Sequence, residues 1–469
     1  MRTVIGVDSS TQTCKVVVRS LGTGDVLRTG RRPHPAGTEV DPEAWWEALQ
    51  GALDDAGGTA DAAGIAIGGQ QHGLVALDAD GRVIRPALLW NDTRSAPAAA
   101  AMTAELGAVE WASRTGSVPV ASFTATKLRW MAEAEPELAD RIAAVALPHD
   151  WLTWRLRGYG PDRPDLDQLT TDRSDASGTS YFDLRSGAWD RQLLSMALRR
   201  DASDIVLPTV LGPAESRSVL GSDLVVAAGA GDNAAAALGL GIVSGEAVVS
   251  LGTSGTVFAS VADSVIDPSG TVACFADASG GFLPIVTTLN AARILDTVAS
   301  LLAVDHDELA RLALTAPAGA EGVVLLPFFD GERTPNLPDE TATITGLTTA
   351  TTTRPNLARA AFEGMLGALA SGVTAVREAG VRVDRILLTG GAARSEASVA
   401  VAADVFDAEV VVPEPGEYVA LGAGVQAAWA VTGTRPSWRP SSRAATTGAG
   451  NTQVLGQYRA AFERRYPRS

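Results

Sequence analysis

A chain of 469 residues has room for two or three domains, and its 46% apolar and 20% charged composition is that of an ordinary globular protein. The net charge of −16 argues against nucleic acid and anionic membrane surfaces as main partners. Two cysteines, Cys14 and Cys274, are too few for a disulfide framework or a structural zinc site.

Residues 3–8 read as an apolar strand and 14–20 as a second, joined by a turn of small and hydroxyl residues from Asp8 to Thr13. Such a turn lets backbone N–H groups and hydroxyls close on an anion, as phosphate cradles require. Asp8, where strand becomes turn, suits an Asx-turn or a ligand of the Mg²⁺ that accompanies a nucleotide. Only two of the 38 basic residues are lysine, Lys15 and Lys127. Lys15 leaves the turn on the second strand, where a compact ammonium suits a phosphate. No basic and apolar leader precedes the first strand, so a cytoplasmic protein is expected.

Asp41-Pro42-Glu43 opens a helix with Trp45, Trp46, Leu49 and Leu53 on its apolar face. Residues 64–69 read as a buried strand ending in a glycine pair. The polar groups of Gln70-Gln71-His72-Gly73 follow, suited to a polyol, and then a strand over 74–77. Trp90-Asn91-Asp92-Thr93-Arg94 joins an aromatic plane to amide, carboxylate and guanidinium groups, a combination that suits a sugar but is common in loops. Over 224–241 a strand, a glycine turn and an alanine-rich helix succeed one another, with Asp232 at the helix mouth and Asn233 behind it. A lone Asp there is usually a cap. Glycines 229, 231 and 239 keep these surroundings open, however, and an Asp so placed can orient an acceptor hydroxyl and take its proton in phosphoryl transfer. This stretch is also the most apolar, yet Asp232, Asn233 and the glycines make it a poor membrane span.

A boundary near Val243 divides the chain into 1–243 and 244–469. Slid by 242 positions, Asp8 falls on Ser250, Ser10 on Gly252 and Thr11 on Thr253. Residues 386–391 mirror 65–69, and 419–424 echo 236–241. Elements recurring in order indicate a duplicated domain and, with a phosphate-type turn in each half, a nucleotide-binding enzyme. The threonine-rich run 341–353 reads as strand and loop, and 432–450 as a surface connection leading to a closing helix from Gln453 to Arg465.

Two longer runs carry a family resemblance. One is Ser122-Phe123-Thr124-Ala125-Thr126-Lys127-Leu128-Arg129-Trp130-Met131. The other is Ala342-Thr343-Ile344-Thr345-Gly346-Leu347 followed after eight residues by Asn356-Leu357-Ala358-Arg359-Ala360-Ala361-Phe362-Glu363. They resemble the two signatures of FGGY-family carbohydrate kinases. Gln70–Gly73, Leu89–Asp92, Ser174–Thr179, Gly231–Ala234 and Gly331–Pro335 look like the versions found in that family's xylulose-phosphorylating branch.

The resemblance implies an α/β protein of two duplicated actin-like (ribonuclease H-like) ATPase domains with the active-site cleft between them. It implies ATP and Mg²⁺, a small-molecule sugar substrate, phosphorylation of D-xylulose to the 5-phosphate, and a homodimer. Asp232 would be the base for the 5-hydroxyl, with Gln71, His72, Asp232 and Asn233 binding the sugar. Thr11, Gln12, Thr13, Lys15 and Thr253 would face the phosphates, and Gly391 and Ser395 the adenosine. Two positions depart from the family pattern: Ser10 stands where a glycine is usual, and Gln71 where many members carry methionine. D-Gluconate, L-ribulose and glycerol are the alternative substrates. An actin-like ATPase would share the phosphate hairpins but need neither the Gly-Asp-Asn helix mouth nor the sugar loop.

Overall fold

The computed structural model describes residues 2–444 and 452–467. The chain forms two compact units. The first comprises the residues up to Gly241 together with Ala262–Leu283 and Gly416–Pro440. The second comprises Ile242–Val261, Pro284–Pro415 and the described residues from Ser441 onward.

In the first unit Thr3–Ser9 pairs antiparallel with Thr13–Ser20, placing Asp8 opposite Lys15, and Thr13–Ser20 pairs antiparallel with Val26–Pro33. On its other side Thr3–Ser9 runs parallel to Ala62–Gly69, which in turn runs parallel to Val225–Ala227. The second unit repeats the scheme with Gly245–Leu251, Gly255–Ala259, Phe282–Thr288, Val383–Thr389 and Glu409–Pro413. Each sheet therefore has the order third, second, first, fourth, fifth, with a meander of three strands followed by parallel ones. Short turns suffice for the meander, whereas each parallel pairing needs a crossover long enough to hold a helix. The duplication is the one that the two hairpins led us to expect, and the actin-like α/β arrangement is the one that the family resemblance implied.

The expected helix after Asp41 spans Pro42–Asp55; Asp41 accepts a hydrogen bond from the Glu43 amide, and Trp45, Leu49 and Leu53 are buried. Trp46 lies at the edge of this face with the Arg155 guanidinium over its ring at 5.0 Å. The 74–77 strand is realised as Val75–Leu77, and the threonine-rich run as the short strand Thr343–Thr345 followed by loop. The closing helix spans Thr452–Arg465. Of the 432–450 connection, Trp438 stacks on Arg19, while residues 445–450 lie outside the described residues.

The two stretches that echo each other, 236–241 and 419–424, are packing partners. They lie in the helices Asp232–Leu240 and Tyr418–Thr432, which cross so closely that a Cβ on Gly239 would sit 2.1 Å from the Tyr418 carbonyl oxygen, and one on Gly422 1.9 Å from that of Ala235. The Tyr418–Thr432 helix also lies on the first strand, where a Cβ on Gly6 would be 1.8 Å from the Ala420 carbonyl oxygen. Hence the Gly416–Pro440 segment belongs to the first unit: it covers that unit's central strands.

Candidate active site

Three strands of the first unit end in register. Asp8 and Ser9 lie beside Gly68 and Gly69, which on their other side lie beside Ala230 and Gly231. The residues that follow each strand therefore emerge together at the carboxyl end of the sheet, where open α/β sheets bind ligands. They are the Ser10–Thr13 turn, Gln70-Gln71-His72, and Asp232-Asn233.

The turn is braced from outside. Trp90 donates its indole N–H to the Thr11 hydroxyl at 2.8 Å, and the His34 amide donates to the Gln12 carbonyl at 2.8 Å. His34 Nδ1 lies 2.8 Å from the Ser10 carbonyl, and burial holds this ring below the usual histidine pKa, so it serves as a neutral donor. Ser10 is not among the described non-glycine residues with positive φ, so serine replaces glycine there without backbone strain. Lys15 Nζ sits 3.3 Å from Asp8 Oδ2 and 2.6 Å from Glu417 Oε2. Asp8 is buried and its pKa is raised by that burial, with the Lys15 charge opposing the shift. Its Oδ1 makes no hydrogen bond, and a buried carboxylate with one oxygen to spare fits a hard divalent cation.

Asp232 is the first residue of its helix, and its Oδ1 accepts from the Asn233 amide at 2.7 Å and from Asn233 Nδ2 at 2.9 Å. Burial and the charge of Asp8 push its pKa up to about 7 against the pull of those two bonds. Gln71 is buried against Gly231, where a Cβ would come within 2.5 Å of its Cγ, and its Nε2 donates to the Ser174 carbonyl at 3.0 Å. His72 adopts φ +70°, a region costing a non-glycine residue about 1 kcal/mol or more and concentrated at functional sites. Its Nδ1 is 2.7 Å from the Gly178 carbonyl, and its ring packs at 4.8 Å from Phe123 and 5.5 Å from Phe275.

In the second unit Thr253 is exposed in the 252–254 turn, which is tied down by the Ala292 amide donating to the Gly252 carbonyl at 2.9 Å. Gly390, at φ +93°, packs on Leu251, where a Cβ would be 2.6 Å from its backbone. Gly391 opens the short 3₁₀ turn Gly391–Arg394 and has no atom within 4 Å of where a Cβ would stand. Ser395 precedes the Glu396–Val405 helix, with its hydroxyl buried and unbonded. Thr253, Gly391 and Ser395 thus follow strands that end at the same end of the second unit's sheet.

The two lysines part company. Lys127 is wholly buried, donates to the carbonyls of Ala121 and Ser122, and is driven down to about 7 by burial. It holds a backbone bend. In the Trp90–Arg94 loop, Arg94 bonds Asp92 at 2.8 Å and Glu39 at 2.7 Å, and Asp92 also accepts from the Thr38 hydroxyl, while Trp90 links the loop to the turn. Sequence reasoning missed His34, which carries no local signal of what it braces. It also gave no weight to His149, whose place in Pro148-His149-Asp150 looks like any helix start.

Residues 3–239 match the N-terminal domain of the FGGY family of carbohydrate kinases, and residues 247–431 match its C-terminal domain. Among curated proteins, the chain is 45% identical over 449 residues to the xylulose kinase of Streptomyces rubiginosus, covering 92% of this chain and 89% of that one. It is 35% identical over 453 residues to the xylulose kinase of Haemophilus influenzae, covering 91% and 90%. Among solved structures it resembles the xylulose kinase from Bifidobacterium adolescentis with a TM-score of 0.92 and 45% identity, covering 98% of this chain and 99% of that one.

Proposed function

The chain belongs to the FGGY family of carbohydrate kinases, and from that premise we propose that it transfers the terminal phosphoryl group of ATP to the 5-hydroxyl of D-xylulose. The observation that carries this reading is Asp232, a carboxylate raised to about 7 at a helix mouth beside Gln71 and Asn233. A base poised near the working pH best combines correct protonation with driving force for proton transfer.

Gln71, His72 and Asn233 bind the sugar, and Asp232 takes the proton from the 5-hydroxyl. That oxygen forms its bond to the γ-phosphorus as the bond from γ-phosphorus to the bridging oxygen breaks, releasing ADP. Thr11, Gln12, Thr13, Lys15 and Thr253 face the phosphates, and Gly391 and Ser395 the adenosine. Asp8 would hold Mg²⁺, which when bound offsets the negative charge on the terminal phosphates. Among the described residues no helix is long and apolar enough to cross a membrane. We place the enzyme in the cytoplasm, where ATP is supplied.

The test is ADP formation with Mg²⁺ and D-xylulose, L-ribulose, D-gluconate, glycerol or no sugar. Turnover with D-xylulose far above every other well is expected. Equal turnover in all wells, the sugar-free one included, would mean an ATPase without a sugar acceptor. Asp232→Ala should lower sugar phosphorylation by about a hundredfold or more while ATP binding by calorimetry stays within about threefold.

A further inference from the structure

Behind the loop that carries Asp232 lies a buried ionic cluster with no part in the chemistry above. His149, in the Pro148–Leu156 helix, is fully buried. Its Nε2 lies 2.9 Å from the Ala228 carbonyl oxygen, and its Nδ1 lies 3.2 Å from Asp175 Oδ2 and 3.1 Å from Asp150 Oδ1. A carbonyl can only accept, so Nε2 carries a hydrogen; burial pushes Asp175 up to about 8, but with Asp150 Oδ1 and Asp175 Oδ2 both within 3.2 Å of Nδ1 the second proton is favoured on the ring. Burial alone would lower the ring's pKa, but Asp150 and Asp175 outweigh it and hold the imidazolium well above its usual range. Nearby, burial raises Asp172, and burial together with Asp150 raises Tyr181, which stays neutral.

His149 is packed between two glycines, one against its backbone and one against its ring. A Cβ on Gly69, just before Gln70-Gln71-His72, would sit 2.7 Å from His149 Cβ. A Cβ on Gly229, at φ +78°, would fall 1.9 Å from Nε2. A second tether grips the same loop. Asp172 accepts from the Ser174 amide at 2.8 Å and its hydroxyl at 2.7 Å; the Ser174 hydroxyl accepts from the Gly231 amide at 3.0 Å, and the Ser174 carbonyl takes Gln71 Nε2. Residues 172–175 therefore hold the 228–231 loop at both ends, directly at Gly231 and through His149 at Ala228.

We propose that His149 is a positioning residue for phosphoryl transfer: as a double donor between Asp175 and the Ala228 carbonyl it fixes the 228–231 loop, and with it the direction in which Asp232 meets the sugar hydroxyl. The proposal rests on Asp232 being the base. It separates His149 from a general support of the fold, because its effect is confined to the step that Asp232 performs.

The test is His149→Gln, which keeps one donor and loses the charge, made in the wild type and in Asp232→Ala. In the wild-type background kcat with D-xylulose should fall about tenfold or more, while the KM for ATP and the sugar-free ATPase rate stay within about twofold. In the Asp232→Ala background the same substitution should change the residual rate by less than about twofold, the non-additivity of two residues acting through one step. A full additive loss, an equal fall in sugar-free ATPase, or unchanged kcat would each overturn the proposal. Should Asp232→Ala alone retain turnover, the base assignment itself has failed, a distinguishable result. If His149→Gln does not fold, Asp175→Asn serves: with one counter-charge gone, kcat should acquire an extra loss on raising the pH through neutrality. A pH profile identical to wild type would refute the tether.

Discussion

Asp232 combines two opposed demands in one side chain. Its folded pKa of about 7 stands above the ordinary value of 3.8, because burial and Asp8 disfavour the ionised form. The folded state thus keeps a proton that the unfolded chain releases earlier, so the associated stability is complete below the unfolded value and is lost as pH rises through about 7. Asp232→Asn removes that loss. The variant should gain melting temperature over wild type, by more at about pH 8 than at about pH 5, in scanning calorimetry. A gain that is the same at both pH values would show that the carboxyl is not shifted. The lysines offer a second contrast. Lys15 lies with Asp8 and Glu417 beside the turn, whereas Lys127 is spent on two backbone carbonyls. Lys15→Met should cut kcat/KM for ATP with little change in stability. Lys127→Met should leave KM for ATP in place and cost about 1–3 kcal/mol in urea unfolding, from two carbonyls left unpaired. The strand position of Lys15 and the signature run around Lys127 were visible in the chain, but the burial that divides the two lysines was not.

Glycines decide how elements meet in the first unit. The Asp232–Leu240 and Tyr418–Thr432 helices touch backbone to backbone at Gly239 and Gly422, which leaves no space for a side chain. Gly422→Val should force the helices apart and cost about 1–3 kcal/mol or more. Gly456→Ala is the opposite case: it sits in the Thr452–Arg465 helix with nothing within 4 Å of its Cβ position. There the smaller backbone entropy of the unfolded chain should add about 0.5–1 kcal/mol. Chemical unfolding distinguishes the two, and equal effects of the same sign would contradict the packing described. The hairpins were legible because small-residue turns between apolar runs leave few alternatives. The kinship of 236–241 with 419–424 was legible as well, but as repetition; that these stretches pack on each other is a long-range fact.

The course of the chain between its units carries a consequence for folding. A fragment of residues 1–243 contains all five main strands of the first sheet yet lacks Gly416–Pro440, which covers Gly6 and the Asp232 helix. It should remain unfolded or molten by near-UV circular dichroism and amide dispersion, since the strands' apolar face loses its cover. Appending residues 416–440 through a flexible linker should restore cooperative unfolding. A cooperative, ordered 1–243 fragment would show that the returning helix is dispensable.

Short-range sterics and polarity are written directly in the order of residues. For that reason the chain alone determined the two phosphate-type turns, the 242-residue offset between first strands, the Asp232 helix mouth and the family signatures. Tertiary structure alone decided which groups share a dielectric environment. Gln71 meets Ser174 across 103 positions, Trp90 meets Thr11 across 79, and His149 meets Asp175 across 26. Each of these contacts, and the protonation that follows from it, depends on burial and on partners that no local pattern encodes.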